Sequence, residues 1–279
     1  MKKIFFTIII AAAMLAGCEW LENNLPEGLT DGEIIEGLKT ALNVGTDSSA
    51  TKLSMNNGYY GNALVKIPLP DEALKVQGEI NAILKLAPSL GSYLNLNTHF
   101  ENVVKSINRA AEEASKEAAP IFKSAINDLS ITQGLQILQG EVPGGKKQTS
   151  AFDSTAATNY LKLKTYSPLT GLYAPKIDNN LNKNLGLGFS ANQAWSTLRT
   201  TYNNAVSTIK GNLITNAALS LTGYDLDPLQ TESIGVFATE KALNGLFLKV
   251  GEEEVKIRRD PWKWVTTAVG DILTKVFGS

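Results

Sequence analysis

Apolar residues recur at helical spacing along most of the chain. The clearest helix is predicted from about Thr98 to Ala119, with large apolar side chains in its first half and alanines in its second. Another long helix is predicted from Asp227 to about Arg259. No segment alternates between apolar and polar residues for long enough to indicate a sheet. The pattern therefore predicts an all-α, multi-helix bundle.

Capping residues, glycines and prolines set the predicted helix boundaries. Thr30 and Glu33 have the spacing of a capping box, and the helix that follows is predicted to stop at Gly45. Ser167–Pro168 is predicted to open a new helix, because Ser can cap it and Pro fits its first turn. Pro261 is predicted to open the last helix in the same way.

The connections are predicted to be short and extended. Residues 64–70 alternate in polarity and contain Pro68 and Pro70, which exclude a continuing helix. Residues 141–150 contain a proline and two glycines, so they are the best position for a loop or an internal boundary. We expect residues 30–279 to form a single helical domain.

The first eighteen residues have the pattern of a bacterial lipoprotein signal. Lys2 and Lys3 precede the apolar run Ile4–Ala13, which is too short to span a bilayer core of roughly 30 Å. The segment Leu15–Cys18 resembles the lipobox that precedes lipid attachment. The sequence thus predicts a signal peptide over residues 1–17, lipidation of Cys18 and a tether over residues 18–29; the alternative is a signal peptide with an incidental cysteine.

The residue after the cysteine predicts which membrane holds the protein. In enterobacteria an Asp at this position favours retention in the inner membrane, whereas this chain has Glu19. A lipid anchor holds stably when it carries more than one acyl chain. We therefore expect the protein at the bacterial cell envelope, anchored to the outer membrane through Cys18 and facing the periplasm.

Composition excludes several functional classes. The 279 residues include 26 basic and 27 acidic side chains, a balance that argues against a nucleic-acid partner. The chain has one Cys and one His, Cys18 and His99. This scarcity excludes a disulfide framework, a Cys/His zinc site and a catalytic triad that needs more than His99. No metal or cofactor is predicted.

Carboxylates interrupt the apolar face of the helix predicted to end near Arg259. Glu240 and Glu254 alternate with apolar residues at seven-residue spacing, namely Val236, Leu243, Val250 and Ile257. A carboxylate in such a face needs a basic partner and hydrogen bonds, or its pKa rises. Their plausible partners are Asn108, Arg109 and Arg258. The alternatives are a buried polar pocket for a ligand, salt bridges between helices, or a solvated face.

Two carboxylates fourteen residues apart on one helix lie about 21 Å apart. Glu240 and Glu254 are therefore too distant to act as a glycosidase pair.

The C-terminal helix carries a large apolar load. Trp262 and Trp264 lie close to three basic residues, Arg258, Arg259 and Lys263. Three interpretations remain open for this helix: packing onto the bundle, docking of a partner subunit, or contact with the membrane interface.

Several short motifs are distributed along the mature chain, among them Gly37–Leu42, Ile67–Pro70, Asn108–Glu112, Ala119–Phe122, Thr239–Phe247, Glu252–Glu253 and Ile257–Arg258. Together they resemble DUF4197, a family of bacterial lipoproteins or secreted proteins of unknown function. The resemblance covers nearly the whole mature chain. It implies a helical exported protein and supplies no activity.

A lipid-anchored module that binds an envelope protein partner or a small ligand is the function that the sequence favours. The alternative is a carrier of a lipid or another apolar molecule in the periplasm, and an enzyme comes third because Asp, Glu and Arg alone can catalyse. The oligomeric state stays open. The expected polar pocket comprises Asn108, Arg109, Glu112, Glu240, Glu253, Glu254 and Arg258.

Overall fold

The computed structural model describes residues 28–145 and 152–278. The predicted signal peptide, Cys18 and nearly all of the tether lie outside the described residues. The described residues form eleven α-helices and two 3₁₀ turns, with no strand among them, which confirms the all-α prediction. The helices are α1 (Asp31–Ser54), α2 (Asp71–Leu86), α3 (Gly91–Leu94), α4 (Asn97–Ser115), α5 (Ala118–Asp128), α6 (Gly134–Leu138), α7 (Ala156–Leu181), α8 (Ala191–Gly211), α9 (Leu213–Ser220), α10 (Gly235–Arg259) and α11 (Gly270–Phe277).

The chain divides into two compact units. The first unit comprises residues up to 48, 122–166 and from 249 onward, and the second comprises residues 49–121 and 167–248. Residues 141–145, the described part of the predicted boundary, lie within the first unit. Among the described helices, none is long and apolar enough to cross a membrane.

The first unit has a core built from its first and last segments. Buried Ala41, Ile257 and Leu273 form its centre, and partly buried apolar residues pack around them, among them Val44 and Trp264. In the second unit, α4 packs against α8. The apolar face predicted for α4 is buried there, from Phe100 through the alanines of its second half.

The capping box predicted at the start of α1 is confirmed. The backbone N–H of Thr30 donates to Glu33 Oε2 at 3.0 Å, and that of Glu33 donates to Thr30 Oγ1 at 3.3 Å. Lys275 of α11 also bonds to Glu33. The hydrogen bond from Lys275, followed by those from Thr30, lowers the pKa of Glu33 to about 2.

The prediction that this helix stops at Gly45 is wrong, because α1 continues to Ser54. Gly45 lies inside α1, where its missing side chain lets α10 approach closely. A Cβ atom on Gly45 would lie 3.3 Å from the carbonyl oxygen of Val250, on α10. Gly37 has a tighter neighbour, since its Cβ would lie 2.6 Å from Val276 Cγ2. Gly37 and Gly45 therefore mark contacts between helices.

The helix start predicted at Ser167–Pro168 is also wrong. Pro168 and Pro175 both lie inside α7, which is continuous from Ala156 to Leu181. A proline inside a helix removes one hydrogen bond, at a cost of about 3 kcal/mol. Burial of the apolar face of α7 outweighs this loss, since Leu169, Tyr173 and Ile177 keep helical spacing and are all buried.

The start of α10 differs from the prediction because tertiary hydrogen bonds hold residues 227–231 out of a helix. The side chain of Asn203 pairs with both backbone groups of Leu229, accepting from the N–H at 2.8 Å and donating to the carbonyl at 3.1 Å. The Tyr202 hydroxyl donates to the Asp227 carbonyl, and the Trp195 indole donates to the Thr231 carbonyl. With these partners, backbone N–H and C=O groups of the segment are hydrogen-bonded although the segment is not helical.

Glu72 of α2 completes the support of this segment. Its carboxylate accepts from the N–H of Gln230 at 2.6 Å and from the N–H of Thr231 at 3.0 Å. Burial raises the pKa of Glu72, but hydrogen bonds from Gln230 and Thr231 outweigh burial, so the pKa lies below its ordinary value.

The last helix begins at Gly270 and not at Pro261. Pro261 opens a short 3₁₀ turn that ends at Trp264, and the chain then turns sharply before α11. A Cβ atom on Gly270 would lie 2.2 Å from the Trp264 carbonyl oxygen. This close approach is available only to glycine, and it separates the turn from the helix.

Replacing Gly37 tests the packing of α1 against α11. We expect Gly37→Ala to destabilise the protein by about 1–3 kcal/mol, because its new methyl group overlaps Val276. Gly78→Ala is the matched control, since Gly78 lies inside α2 with no atom within 4 Å of its Cβ position. That variant should gain roughly 0.4–1 kcal/mol. Urea unfolding followed by circular dichroism measures both, and equal stability of the two variants would contradict the packing argument.

Candidate functional site

The residues of the expected polar pocket fall into two groups. Asn108, Arg109, Glu112 and Glu240 belong to the second unit, whereas Glu253, Glu254 and Arg258 belong to the first. Direct contacts join Arg109 to Glu112 and Glu254 to Arg258.

Glu254 of α10 is a buried cap for α7. Its Oε1 accepts from the N–H of Ala157 at 3.0 Å, and its Oε2 accepts from the N–H of Thr158 at 2.8 Å. The Thr158 hydroxyl donates to the same Oε2 at 2.6 Å. Because these N–H groups lie in the first turn of α7, Glu254 supplies partners that the helix itself cannot provide.

Arg258 balances the charge of Glu254 and caps a second helix. Its Nε donates to Glu254 at 2.8 Å, and its two terminal nitrogens donate to the carbonyls of Ile137 and Leu138, at the end of α6. The guanidinium also lies over the rings of Phe152 and Phe277, 5.6 Å and 5.3 Å from their centroids. The pair lies within α10, four residues apart, and its hydrogen bonds join the start of α7 to the end of α6.

Two further acids of α10 have different surroundings. Glu253 is buried and pairs with Lys256 at 2.6 Å. Glu240 is exposed, as is Val236, which is 75% accessible to solvent. A seven-residue repeat drifts by about 20° per repeat around a straight helix, so Glu240 and Glu254 do not share one environment.

Asn108 of α4 holds the extended connection that precedes α2. Its Oδ1 accepts from the N–H of Ile67 at 2.9 Å, and its Nδ2 donates to the Ile67 carbonyl at 2.7 Å. The same Nδ2 donates to the Val104 carbonyl at 2.7 Å. Asn108 thus acts as a strand partner for a segment whose neighbouring prolines have no N–H to donate.

Glu112 of α4 holds the turn that follows α1. Its Oε1 accepts from the N–H groups of Tyr59 and Tyr60, at 3.1 and 3.0 Å. Its Oε2 accepts from Arg109, whose other terminal nitrogen donates to Asn57 Oδ1 at 3.1 Å. Asn57 is the one described non-glycine residue with a positive φ, 67°. The side chain of Glu112 is therefore fully used by the turn and by Arg109.

Tyr59 was not predicted from the sequence, and it anchors the same turn. Its hydroxyl donates to the Ala242 carbonyl of α10 at 2.8 Å, and burial raises the pKa of Tyr59 well above its ordinary value. A Cβ atom on Gly245 would lie 2.8 Å from the Tyr59 ring, so this glycine makes room for the tyrosine. The Asn57–Gly58 pair is the only sequence signal of the turn.

An open cleft of about 720 Å³ lies beside Arg109, wholly within the second unit. We call it the Arg109 cleft. Ser54, Asn56 and the loop 184–187 contribute polar groups and backbone to it. Its other lining residues are charged side chains of α4 and of the residue after it, namely Lys105, Arg109, Glu112, Glu113 and Lys116.

The charges of the Arg109 cleft do not cancel. Glu112 is paired with Arg109, and Glu113 is paired with Lys116 at 2.6 Å. Lys105 has no ion-pair partner among residues 28–145 and 152–278. The lining therefore carries three cations against two carboxylates. Within the same part of the chain, no group of three or more His, Cys, Asp or Glu residues could hold a metal ion.

Residues 28–278 match the family described as Protein of unknown function (DUF4197). No curated protein and no solved structure matches the chain.

Replacing Glu254 tests whether the buried pair holds the fold. We expect Glu254→Gln to cost about 3–5 kcal/mol of unfolding free energy, because Arg258 then keeps a buried charge without its carboxylate. Glu240→Gln is the matched control on the same helix and should change stability by less than about 0.5 kcal/mol. Denaturant unfolding compares the two. A Glu254 variant as stable as the control would show that the pair does not support the fold.

Proposed function

The chain belongs to the DUF4197 family, and we propose that it is a lipid-anchored protein of the bacterial cell envelope that binds a small anion in the Arg109 cleft. In this proposal the protein is a binding module and not an enzyme. The anchor is the lipid on Cys18, and the body faces the periplasm from the outer membrane.

Lys105 is the observation that carries the proposal. It lines the Arg109 cleft without an ion-pair partner in the described chain, whereas each neighbouring carboxylate already has one. An anion in the cleft would give Lys105 its missing partner and would meet Arg109 beside it. Partly enclosed charges attract more strongly than fully solvated ones, because solvent screens them less.

The remaining lining residues favour a polar ligand over an apolar one. Asn56 and Asn184 supply side-chain amide groups, which can donate hydrogen bonds to a carboxylate or phosphate oxygen. A carrier of lipids would need a mostly apolar cavity. The chemistry of the Arg109 cleft therefore supports an anion site.

The surroundings of Glu112 support a binding role. A general base must take up a proton, but both oxygens of Glu112 accept hydrogen bonds from donors that hold the 57–60 turn. Glu112 instead keeps the Arg109 guanidinium in place, with Asn57 as its second support.

The anchor rests on the order of features at the N-terminus. A basic pair, a short apolar run and small residues precede the single cysteine of the chain. This order supports cleavage before Cys18 and attachment of lipid to its thiol.

Replacing Lys105 tests the anion site. We expect Lys105→Gln to weaken binding by on the order of tenfold, about 1.4 kcal/mol, because the unpaired charge is lost. Inorganic phosphate and citrate serve as probes in calorimetric titrations of the full chain, and they distinguish phosphate from carboxylate recognition. Lys85→Gln is the matched control, because Lys85 is exposed in the same unit and lies outside the cleft lining. Equal affinities of the two variants, or no binding of either probe, would contradict the anion site.

Mass spectrometry of the full-length protein made in a bacterium tests the anchor. We expect a mature chain that begins at Cys18 with acyl mass on that residue, recovered from the membrane fraction. The Cys18→Ala variant should carry no lipid and keep its signal peptide. An unmodified Cys18, or cleavage at another bond, would contradict the lipid anchor.

A further inference from the structure

The turn after α10 exposes more than half of the surface of a tryptophan. Trp262 is 60% accessible to solvent, and Val265 is 52% accessible. Trp264, in contrast, is partly buried and packs against the core of the first unit. The two tryptophans of this turn therefore differ, since the indole of Trp264 faces the core and that of Trp262 faces outward.

Two cations, Arg259 and Lys263, and two acids, Asp260 and Asp271, lie in or beside the exposed turn. Residues 261–270 contain no acidic side chain, and they include Lys263. Lys263 is exposed and pairs with Asp260 at 3.1 Å, while Arg259 is exposed just before the turn. A tryptophan with nearby cations is the combination that suits a phospholipid surface, since the indole settles among headgroups and cations face the phosphates.

Contacts within the first unit connect this turn to the start of the described chain. A Cβ atom on Gly278 would lie 3.2 Å from the Trp262 ring, so the indole lies against the end of α11. Lys275, three residues earlier, bonds to Glu33 in the first turn of α1. The exposed indole and the first turn of α1 therefore both contact the C-terminal end of the chain, at Gly278 and at Lys275.

The length of the N-terminal segment limits how far the turn can move from an anchored residue. Gly28 lies ten positions after Cys18, so the segment between them spans at most roughly 36 Å. A short tether of this kind keeps a weak surface contact at high local concentration, so the contact needs little affinity of its own.

We propose that Trp262 and Val265 seat the first unit on the phospholipid bilayer that holds the lipid on Cys18. The proposal rests on the anchor in the proposed function and does not depend on the Arg109 cleft. Trp262 inserts its ring at headgroup depth, and Lys263 and Arg259 face the lipid phosphates. The protein is then held at two points, the acyl chains and the turn.

Quenching of tryptophan emission by brominated lipid tests the proposal. The full-length chain is made in a bacterium, purified as the mature lipoprotein and reconstituted into vesicles of phosphatidylethanolamine and phosphatidylglycerol with bromine on the acyl chains. Trp20→Phe is the parent variant, because Trp20 lies two residues from Cys18 and would report on the anchor itself. Emission is compared with that in unbrominated vesicles.

Adding Trp262→Phe to the parent should reduce the emission lost to bromine by roughly twofold or more, because the quenched indole is gone. The matched control adds Trp264→Phe to the parent and should keep most of the loss, since Trp264 faces the core. Circular dichroism confirms that all three proteins are equally helical. The proposal is overturned if Trp264→Phe, and not Trp262→Phe, removes the quenching by brominated lipid. It is also overturned if the parent shows no quenching.

An aqueous quencher, acrylamide, separates the bilayer from other partners that could cover the turn. Protection of Trp262 from both acrylamide and brominated lipid would mean that a protein covers it, either a second copy or another envelope protein, and would overturn the proposal. Acyl mass on Cys18 is measured in the same sample. Its absence overturns the anchor and the seating together, whereas acyl mass without Trp262 quenching overturns the seating alone.

Discussion

Carboxylates that accept two successive backbone N–H groups hold the connections of this protein. Within residues 28–145 and 152–278 the pattern occurs three times, each time from a helix to a segment distant in sequence: Glu72 to Gln230 and Thr231, Glu112 to Tyr59 and Tyr60, and Glu254 to Ala157 and Thr158 in the first turn of α7. Hydrogen bonds to an ionised acceptor are stronger than neutral ones. They let a helical protein leave backbone groups outside its helices without leaving those groups unpaired. Asn108 and Asn203 also hold such segments, because each neutral side-chain amide bonds to both the N–H and the carbonyl of one residue.

The sequence predicted the helical class and one local cap, and distant contacts decided the helix boundaries that were predicted wrongly. The capping box at Thr30 and Glu33 lies within one turn, so both partners are visible in a short stretch of sequence. Gly45 shows the opposite case. A glycine that ends a helix and a glycine that admits a neighbouring helix look the same in sequence, and only the approach of Val250 distinguishes them.

Two of the seven residues predicted for a polar pocket line the Arg109 cleft, and the sequence did not reveal how they are arranged. Motif residues led to Arg109 and Glu112, which do line a cleft. Their partners were hidden, because the turn that Glu112 binds lies 53 residues away in sequence. Lys105 carries no motif and becomes notable only when its neighbours are seen to be paired. An unpaired charge is a property of the assembled site, so a single sequence cannot display it.

The motifs that carry the family resemblance describe the fold more than any chemistry. Asn108 clamps Ile67, Gly245 makes room for Tyr59, and Gly37 admits Val276. Each of these roles is explained by a contact inside one unit, with no ligand required. Buried Glu254 is explained in the same way, since it accepts from two backbone N–H groups of α7 and balances the charge of Arg258. Function is therefore to be sought where the fold leaves a group without a partner or an apolar surface uncovered. In the Arg109 cleft Lys105 meets the first condition, and at the turn after α10 Trp262 meets the second.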